Sequence, residues 1–146
     1  MGFAYPSSLG AKLADPNASV ICIVGDGVWE ISLHEVSRVV EENIPVVALV
    51  FNNGAWCAEK KNQVDFYNIR FVGADIDNPD FSEVARSVGA VGIRVDDLAE
   101  IGPSVERVKS NKPTVIDIQV DGTNWRHLKM PTRQLPKYAY LDHRNW

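Results

Sequence analysis

The chain has 146 residues, a formal net charge of -4 and 45% hydrophobic residues, which fits a single globular domain. Lysine and arginine are scattered through an acidic sequence, so we expect neither nucleic acid nor a membrane surface as a partner. The apolar runs are strand-sized, far below the ~20 residues that span a bilayer, and the first residues lack the order of a signal peptide. We therefore predict a cytoplasmic protein without a transmembrane segment.

The first half of the chain alternates helical patterns with apolar runs. A small-residue helix precedes a turn at residues 15–17, a buried strand and an amphipathic helix follow, and a valine-rich run ends abruptly at Asn52. The predicted elements are a helix near Pro6–Ala14, a strand near Ser19–Val24, a helix at about Trp29–Glu42 and a strand over Pro45–Phe51.

The second half continues this alternation. Its predicted elements are a short helix plus loop over Trp56–Asn68, a helix over Asp80–Ser87, a strand over Ala90–Val95, a helix over Asp97–Ser110 and a strand over Pro113–Val120. From Asp121 the chain becomes polar and aromatic, which is typical of an irregular tail. This order predicts an α/β fold with an open, mostly parallel sheet and helices on both faces. We expect one domain over residues 1–146, with 121–146 as its tail.

Two polar clusters follow the first two predicted strands. They are Gly25-Asp26-Gly27 and Asn52-Asn53-Gly54, and the carboxyl ends of neighbouring parallel strands meet at one edge of a sheet. Asp26 offers a carboxylate oxygen, Asn53 an amide oxygen and the loop beyond it a carbonyl, the hard oxygens that Mg²⁺ prefers. Each cluster alone is an ordinary turn, but within one βαβ unit the pair indicates a cation holding a diphosphate. Gly25 and Gly27 allow close backbone approach, and the helix beginning near Trp29 directs N–H groups at the anion.

These residues, with Glu35 and Pro45-Val46-Val47 between them, resemble the thiamine-diphosphate motif of acetolactate synthases, pyruvate decarboxylases and their relatives. The opening Met1-Gly2-Phe3-Ala4-Tyr5-Pro6 is similar to the loop upstream of that motif in acetolactate-synthase-like enzymes. Residues 58–68 and 131–138 are more similar to the sulfoacetaldehyde acetyltransferases, a family within this group. The resemblance covers essentially the whole chain but only the C-terminal third of such an enzyme.

The resemblance implies thiamine diphosphate and Mg²⁺ as cofactors. Mg²⁺ would be held by the side chains of Asp26 and Asn53 and by the backbone carbonyl of Ala55. The expected cofactor-binding residues are Met1, Gly2 and Phe3 near the aminopyrimidine, Gly25, Asp26, Gly27, Val28 and Trp29 at the diphosphate, and Asn53 and Ala55.

The reaction implied converts sulfoacetaldehyde and phosphate to acetyl phosphate and sulfite. In these enzymes an upstream domain carries the glutamate that activates the aminopyrimidine, and no match for it is found here. We therefore expect a pyrimidine-binding domain or chain as partner, an oligomer, a small anionic substrate and an isolated chain that is not competent. Cys57, where relatives have glycine, and Met1-Gly2-Phe3 keep open an acetolactate synthase or 2-oxo acid decarboxylase. A non-catalytic α/β module is the alternative of another class.

Other polar residues carry weaker hypotheses. His34 is most simply a packed or solvated side chain, whereas Glu35 is balanced between supporting the site and lying on the helix surface. Of the two cysteines, Cys22 is expected in the core, and Cys57 lacks the neighbouring base or second thiol of a nucleophile. The roles of four further residues, which suit either an anion or an ion pair, stay open: Lys60, Lys61, Tyr67 and Arg70.

Overall fold

The computed structural model describes residues 1–107 and 112–121. The tail predicted from residue 122 onward, and the last residues of the helix predicted to end at Ser110, lie outside the described residues. Within the described residues, no helix is long and apolar enough to cross a membrane.

The described elements alternate along the chain as the sequence predicts. They are α1 (Ala4–Ala14), β1 (Ile21–Gly25), α2 (Asp26–Ser32), α3 (Glu35–Glu41), β2 (Val47–Asn52), α4 (Cys57–Phe66), α5 (Phe81–Ser87), β3 (Val91–Val95), a 3₁₀ turn (Leu98–Glu100), α6 (Ile101–Arg107) and β4 (Thr114–Gln119). The four predicted strands are confirmed, with ends that differ by at most two residues.

The strands form one parallel sheet in the order β1-β2-β4-β3. Gly25 is in register with Phe51, and Asn52 with Gln119, so the carboxyl ends of β1, β2 and β4 lie side by side. β4 is buried over Thr114–Ile118 because it lies inside the sheet and has neighbours on both faces. The predicted open parallel sheet is confirmed.

Helices cover both faces of the sheet, as predicted. On one face Cys22, Val24 and Val50 pack in a core that includes Tyr5 of α1, Trp29 of α2 and Phe81 of α5. On the other face the cluster of Leu49, Val95, Ile116 and Ile118 packs against Ile101 and Val105 of α6.

The edge strand β1 is covered on one face only by the described residues. Its side chains alternate between buried and exposed, and Ile21 and Ile23 are 48% and 68% exposed. Large apolar side chains on a strand of a parallel sheet are normally buried, since these sheets are covered on both faces. This open face of β1 therefore suits further packing.

The single helix predicted over Trp29–Glu42 is wrong in two respects. The helix begins three residues earlier, at Asp26, directly after the extended Gly25. It is also interrupted at Leu33 and His34, between α2 and α3. The Ser32 hydroxyl donates to the carbonyl of Trp29 at 3.4 Å, a back-bond that often bends helices.

Gly92 of β3 lies against the backbone of α5, and this contact can be used to test how α5 packs on the sheet. A Cβ at Gly92 would lie 1.9 Å from the Ser82 carbonyl oxygen, so we expect Gly92→Ala to lower the free energy of unfolding by ~1–3 kcal/mol. Gly10 in α1 has nothing within 4 Å of a built Cβ, and Gly10→Ala should raise it by ~0.5–1 kcal/mol. Urea denaturation of both variants measures the difference, and equal effects would contradict the described contact between α5 and β3.

Candidate functional site

The two polar clusters meet at the carboxyl edge of the sheet. The Gly54 N–H donates to Oδ2 of Asp26 at 2.8 Å, which joins the end of β1 to the end of β2. This contact follows from the register, because the strand ends at Gly25 and Phe51 are neighbours. The predicted meeting of the clusters is confirmed.

Asp26 is a nearly fully buried carboxylate at the first position of α2. Its Oδ2 accepts hydrogen bonds from Gly54 N–H at 2.8 Å and from the Asn78 side-chain amide at 2.7 Å. Its Oδ1 has no hydrogen-bond partner among residues 1–107 and 112–121. One oxygen is thus held in place and the other is left for a ligand.

The other two predicted metal ligands lie in the loop after β2. The Asn53 side-chain oxygen accepts from Ala55 N–H at 3.0 Å, and the Ala55 carbonyl accepts from Cys57 N–H at 3.0 Å. The segment 74–76 holds this loop, since Trp56 N–H donates to the Ala74 carbonyl at 2.8 Å. Each oxygen keeps a second lone pair, so the loop can present both to a cation.

The donor set fits Mg²⁺ bound together with a diphosphate. It combines one carboxylate, one amide oxygen and one backbone carbonyl, and Mg²⁺ typically completes such a set with phosphate oxygens and water. The described residues contain no group of three or more His, Cys, Asp or Glu side chains that could hold a metal by itself. A metal held by protein carboxylates and imidazoles alone is therefore not what this edge offers.

Gly27 lies directly under the indole of Trp56, a residue that the sequence analysis did not place in the site. A Cβ at Gly27 would lie 2.7–2.9 Å from three ring carbons, so only glycine allows the ring to reach the start of α2. Gly25 has nothing within 4 Å of such a Cβ. The indole thus ties the loop after β2 to the motif after β1.

Trp29 and Val28 do not present side chains to this edge. The Trp29 indole is fully buried, 4.8 Å from the Tyr5 ring in an edge-on arrangement, and Val28 packs against the same core. The expectation that these two residues face a diphosphate can therefore hold only for their backbones. The sequence could not distinguish a core position from one that faces the diphosphate, because a tryptophan after a glycine-rich turn suits both.

Of the first three residues, Gly2 lies against α2. Gly2 has a φ of +68°, and a Cβ there would lie 2.7 Å from Cγ2 of Ile31. Met1 and Phe3 are exposed, with 85% and 76% of their surface accessible. The described residues leave most of these two side chains uncovered, so both can contact a ligand.

A buried polar network that the sequence analysis missed lies behind the site. Asn78 donates to Asp26 and, at 2.8 Å, to Oδ1 of Asn52, and Asn52 donates to Oδ1 of Asp117 at 3.1 Å. Asp117 also accepts from Phe81 N–H at 3.0 Å and from Gln119 at 2.9 Å. A single carboxylate inside the apolar run Val115–Ile118 was the available sign, since a buried charge needs partners.

Burial raises the pKa of three groups in the described fold. Desolvation raises the pKa of Asp117 despite the hydrogen bonds that it accepts. Burial also raises the pKa of the Cys22 thiol. It raises the pKa of the Cys57 thiol too, with the Asp26 charge as a further cause. Both cysteines are thus held as thiols, which agrees with the prediction that neither is a nucleophile.

The remaining candidate residues include two lysines that are held in ion pairs. Lys60 pairs with Asp75 and lies 5.7 Å from the centre of the Phe71 ring, and Lys61 pairs with Asp65. His34 is exposed and lies 3.3 Å from Glu35, which matches its solvated interpretation. Arg70 is exposed and Tyr67 is partly buried, so the hypothesis of an anion site at these residues stays a prediction.

The sequence of the chain matches a known family. Residues 1–118 match the family described as "Thiamine pyrophosphate enzyme, C-terminal TPP binding domain". The chain therefore belongs to the thiamine pyrophosphate enzymes, and it contains their C-terminal TPP-binding domain.

Individual relatives match most of this chain. The chain is 42% identical to sulfoacetaldehyde acetyltransferase from Alcaligenes xylosoxydans xylosoxydans, over 94% of this chain and 24% of the relative. It is 33% identical to a probable acetolactate synthase large subunit from Methanococcus aeolicus, over 99% of this chain and 25% of the relative. A thiamine diphosphate-dependent 4-hydroxybenzoylformate decarboxylase from Rhodococcus jostii RHA1 has the same fold, with a TM-score of 0.78, 26% identity and coverage of 83% and 23%. The chain thus spans about a quarter of the length of the relatives it matches.

The contact between Gly27 and Trp56 can be tested without any ligand. In Gly27→Ala the added methyl must displace a rigid ring, so we expect altered tryptophan emission and a free energy of unfolding lower by ~1–3 kcal/mol. In Gly25→Ala the methyl enters open space next to an extended backbone, and we expect neither change. Fluorescence spectra and urea denaturation compare the two, and an unchanged spectrum for Gly27→Ala would show that the indole lies elsewhere.

Proposed function

We propose that this chain holds the diphosphate of thiamine diphosphate through Mg²⁺, with Asp26, Asn53 and the Ala55 carbonyl as protein ligands. The observation that carries the proposal is the hydrogen bond between Gly54 N–H and Oδ2 of Asp26. It brings the two halves of the motif together and leaves Oδ1 of Asp26 free among the described residues. Membership of a TPP-binding family supports the choice of cofactor.

Further residues are proposed to contact the cofactor through backbone or exposed surface. Gly25 has open space where a Cβ would lie and admits the diphosphate to the backbone, whereas the space at Gly27 holds the Trp56 ring and Gly27 contributes only backbone groups. Val28 and Trp29 likewise contribute backbone groups of α2 because their side chains lie in the core. Met1, Gly2 and Phe3 are proposed to lie at the aminopyrimidine. The exposure of Met1 and Phe3 and the close approach of Gly2 to Ile31 support this placement.

The reaction we propose for the protein that carries this chain is the conversion of sulfoacetaldehyde and phosphate to acetyl phosphate and sulfite. Bound thiamine diphosphate supplies the carbanion and the electron sink of such chemistry, while the protein supplies position and charge. Two sulfoacetaldehyde acetyltransferases, 42% and 41% identical to this chain, support this choice of substrate. Sulfoacetaldehyde is a small anion, which agrees with the small anionic substrate expected from the sequence.

Acetolactate synthesis is the second candidate. The opening Met1-Gly2-Phe3 resembles the acetolactate synthases, and a probable acetolactate synthase large subunit is 33% identical over 99% of this chain. Both candidates share the same diphosphate site. They differ in the substrate that the rest of the enzyme admits.

Catalysis is proposed to need a second domain or chain that carries the activating glutamate, within an oligomer. The relatives are about four times longer than this chain, which leaves room for such a domain. Ile21 and Ile23 on the open face of β1 support contact with further protein, because exposed isoleucine on a parallel sheet is otherwise unfavourable.

Removal of the Asp26 carboxylate tests the metal site. In the enzyme that carries this chain together with its pyrimidine-binding partner, we expect Asp26→Ala to weaken Mg²⁺ binding at least tenfold, as is typical of altered metal sites. Titration calorimetry with thiamine diphosphate present measures this. Asp77→Ala removes an exposed carboxylate nearby and should bind as the parent does. Circular dichroism controls for folding. Equal binding by Asp26→Ala and the parent would reject the site and favour a non-catalytic module.

Substrate choice is tested on the enzyme that carries this chain together with its pyrimidine-binding partner. We expect release of sulfite and acetyl phosphate from sulfoacetaldehyde and phosphate, with little turnover of pyruvate. The isolated chain should release neither product, because it lacks the activating glutamate. Faster turnover of pyruvate would favour the acetolactate synthase interpretation, and activity of the isolated chain would contradict the need for a partner.

A further inference from the structure

Asn78 is the one side chain that connects the proposed metal ligand Asp26 to the interior of the described fold. Its amide nitrogen donates both hydrogens, one to Oδ2 of Asp26 at 2.7 Å and one to Oδ1 of Asn52 at 2.8 Å. The residue lies in the segment between α4 and α5, which is distant in sequence from both of its acceptors.

Burial of the Asn78 side-chain oxygen opposes folding. This atom, Oδ1, is buried and has no hydrogen-bond partner among the described residues. A buried acceptor without a partner opposes folding, because it gives up its hydrogen bonds to water and gains none. The carboxamide is held in this orientation by the two hydrogen bonds that its nitrogen donates, one of them to Asp26.

The second acceptor of the Asn78 amide nitrogen, Asn52, is anchored in the core. Asn52 donates to Asp117 at 3.1 Å, and Asp117 is fully buried and accepts the Phe81 N–H at the start of α5. Asn78 therefore cannot simply follow Asp26 if that carboxylate turns. The hydrogen bond to Oδ2 of Asp26 instead resists rotation of the carboxylate.

We propose that Asn78 is a positioning residue of the cation site, which holds Oδ2 of Asp26 so that Oδ1 alone faces the cation. This inference rests on the proposed function, since it concerns the same metal. With Gly54 N–H and Asn78 on Oδ2, the carboxylate binds through one oxygen in a fixed direction. Mg²⁺ demands near-ideal octahedral geometry, so a carboxylate free to rotate binds it more weakly. Residues that orient metal ligands typically change affinity by about 10–100-fold when removed.

The test compares two variants of one segment in the enzyme that carries this chain together with its pyrimidine-binding partner. Titration calorimetry adds Mg²⁺ at a constant concentration of thiamine diphosphate. Asn78→Ala removes the contact with Asp26. Asp80→Ala removes the N-cap of α5, whose side chain accepts from Glu83 N–H at 3.0 Å without contacting Asp26. Both variants should melt at a lower temperature than the parent. We expect only Asn78→Ala to bind Mg²⁺ about tenfold more weakly.

The outcomes separate this inference from the proposal beneath it. If the parent fails to bind Mg²⁺ with thiamine diphosphate, the proposed function is overturned and the role of Asn78 with it. If the parent binds, Asp26→Ala does not, and Asn78→Ala binds as the parent does, the role of Asn78 alone is overturned. Equal weakening by Asn78→Ala and Asp80→Ala would overturn it too, because loss of stability would then explain both.

Discussion

The hydrogen bond from Gly54 N–H to the buried carboxylate of Asp26 joins the ends of two parallel strands, and the candidate site depends on it. A carboxylate that is nearly fully buried needs donors in place of water, and Gly54 and Asn78 supply them to one oxygen. The sheet register brings these groups together, because Gly25 and Phe51 are paired across β1 and β2. The site is thus a consequence of strand pairing at the carboxyl edge, where open α/β sheets bind ligands.

The same edge holds polar groups that a purely structural core would avoid. Asp117 is fully buried with its pKa raised by desolvation, and Oδ1 of Asn78 has no partner among the described residues. Sequences usually match local preference to global fold, and exceptions concentrate at functional sites. Asn78 contacts Asp26, and the Tyr5 hydroxyl and Trp29 Nε1 in the core of the same face also lack partners among the described residues. The opposite face of the sheet packs Leu49 against aliphatic residues.

Much of the fold follows from patterns that sequence can show. Apolar runs bounded by turns predicted all four strands, and the order of elements predicted a parallel sheet. The break between α2 and α3 was missed, because the helical spacing of apolar residues continues through Leu33 and His34 while the Ser32 back-bond is a local matter of geometry. The role of Asn78 was missed, since asparagine is common in turns and the sequence does not show that this one is a buried hydrogen-bond donor.

By itself, the sequence determined the alternation of elements, the two polar clusters and their resemblance to a diphosphate-binding motif. Local propensity and hydrophobic periodicity act over a few residues, so a chain displays them directly. Only the tertiary structure decided that Trp29 lies in the core, that the Trp56 ring covers Gly27 and that Asn78 reaches Asp26. These contacts join residues far apart in the chain, and they exist because strand register and helix packing bring distant segments within hydrogen-bonding distance.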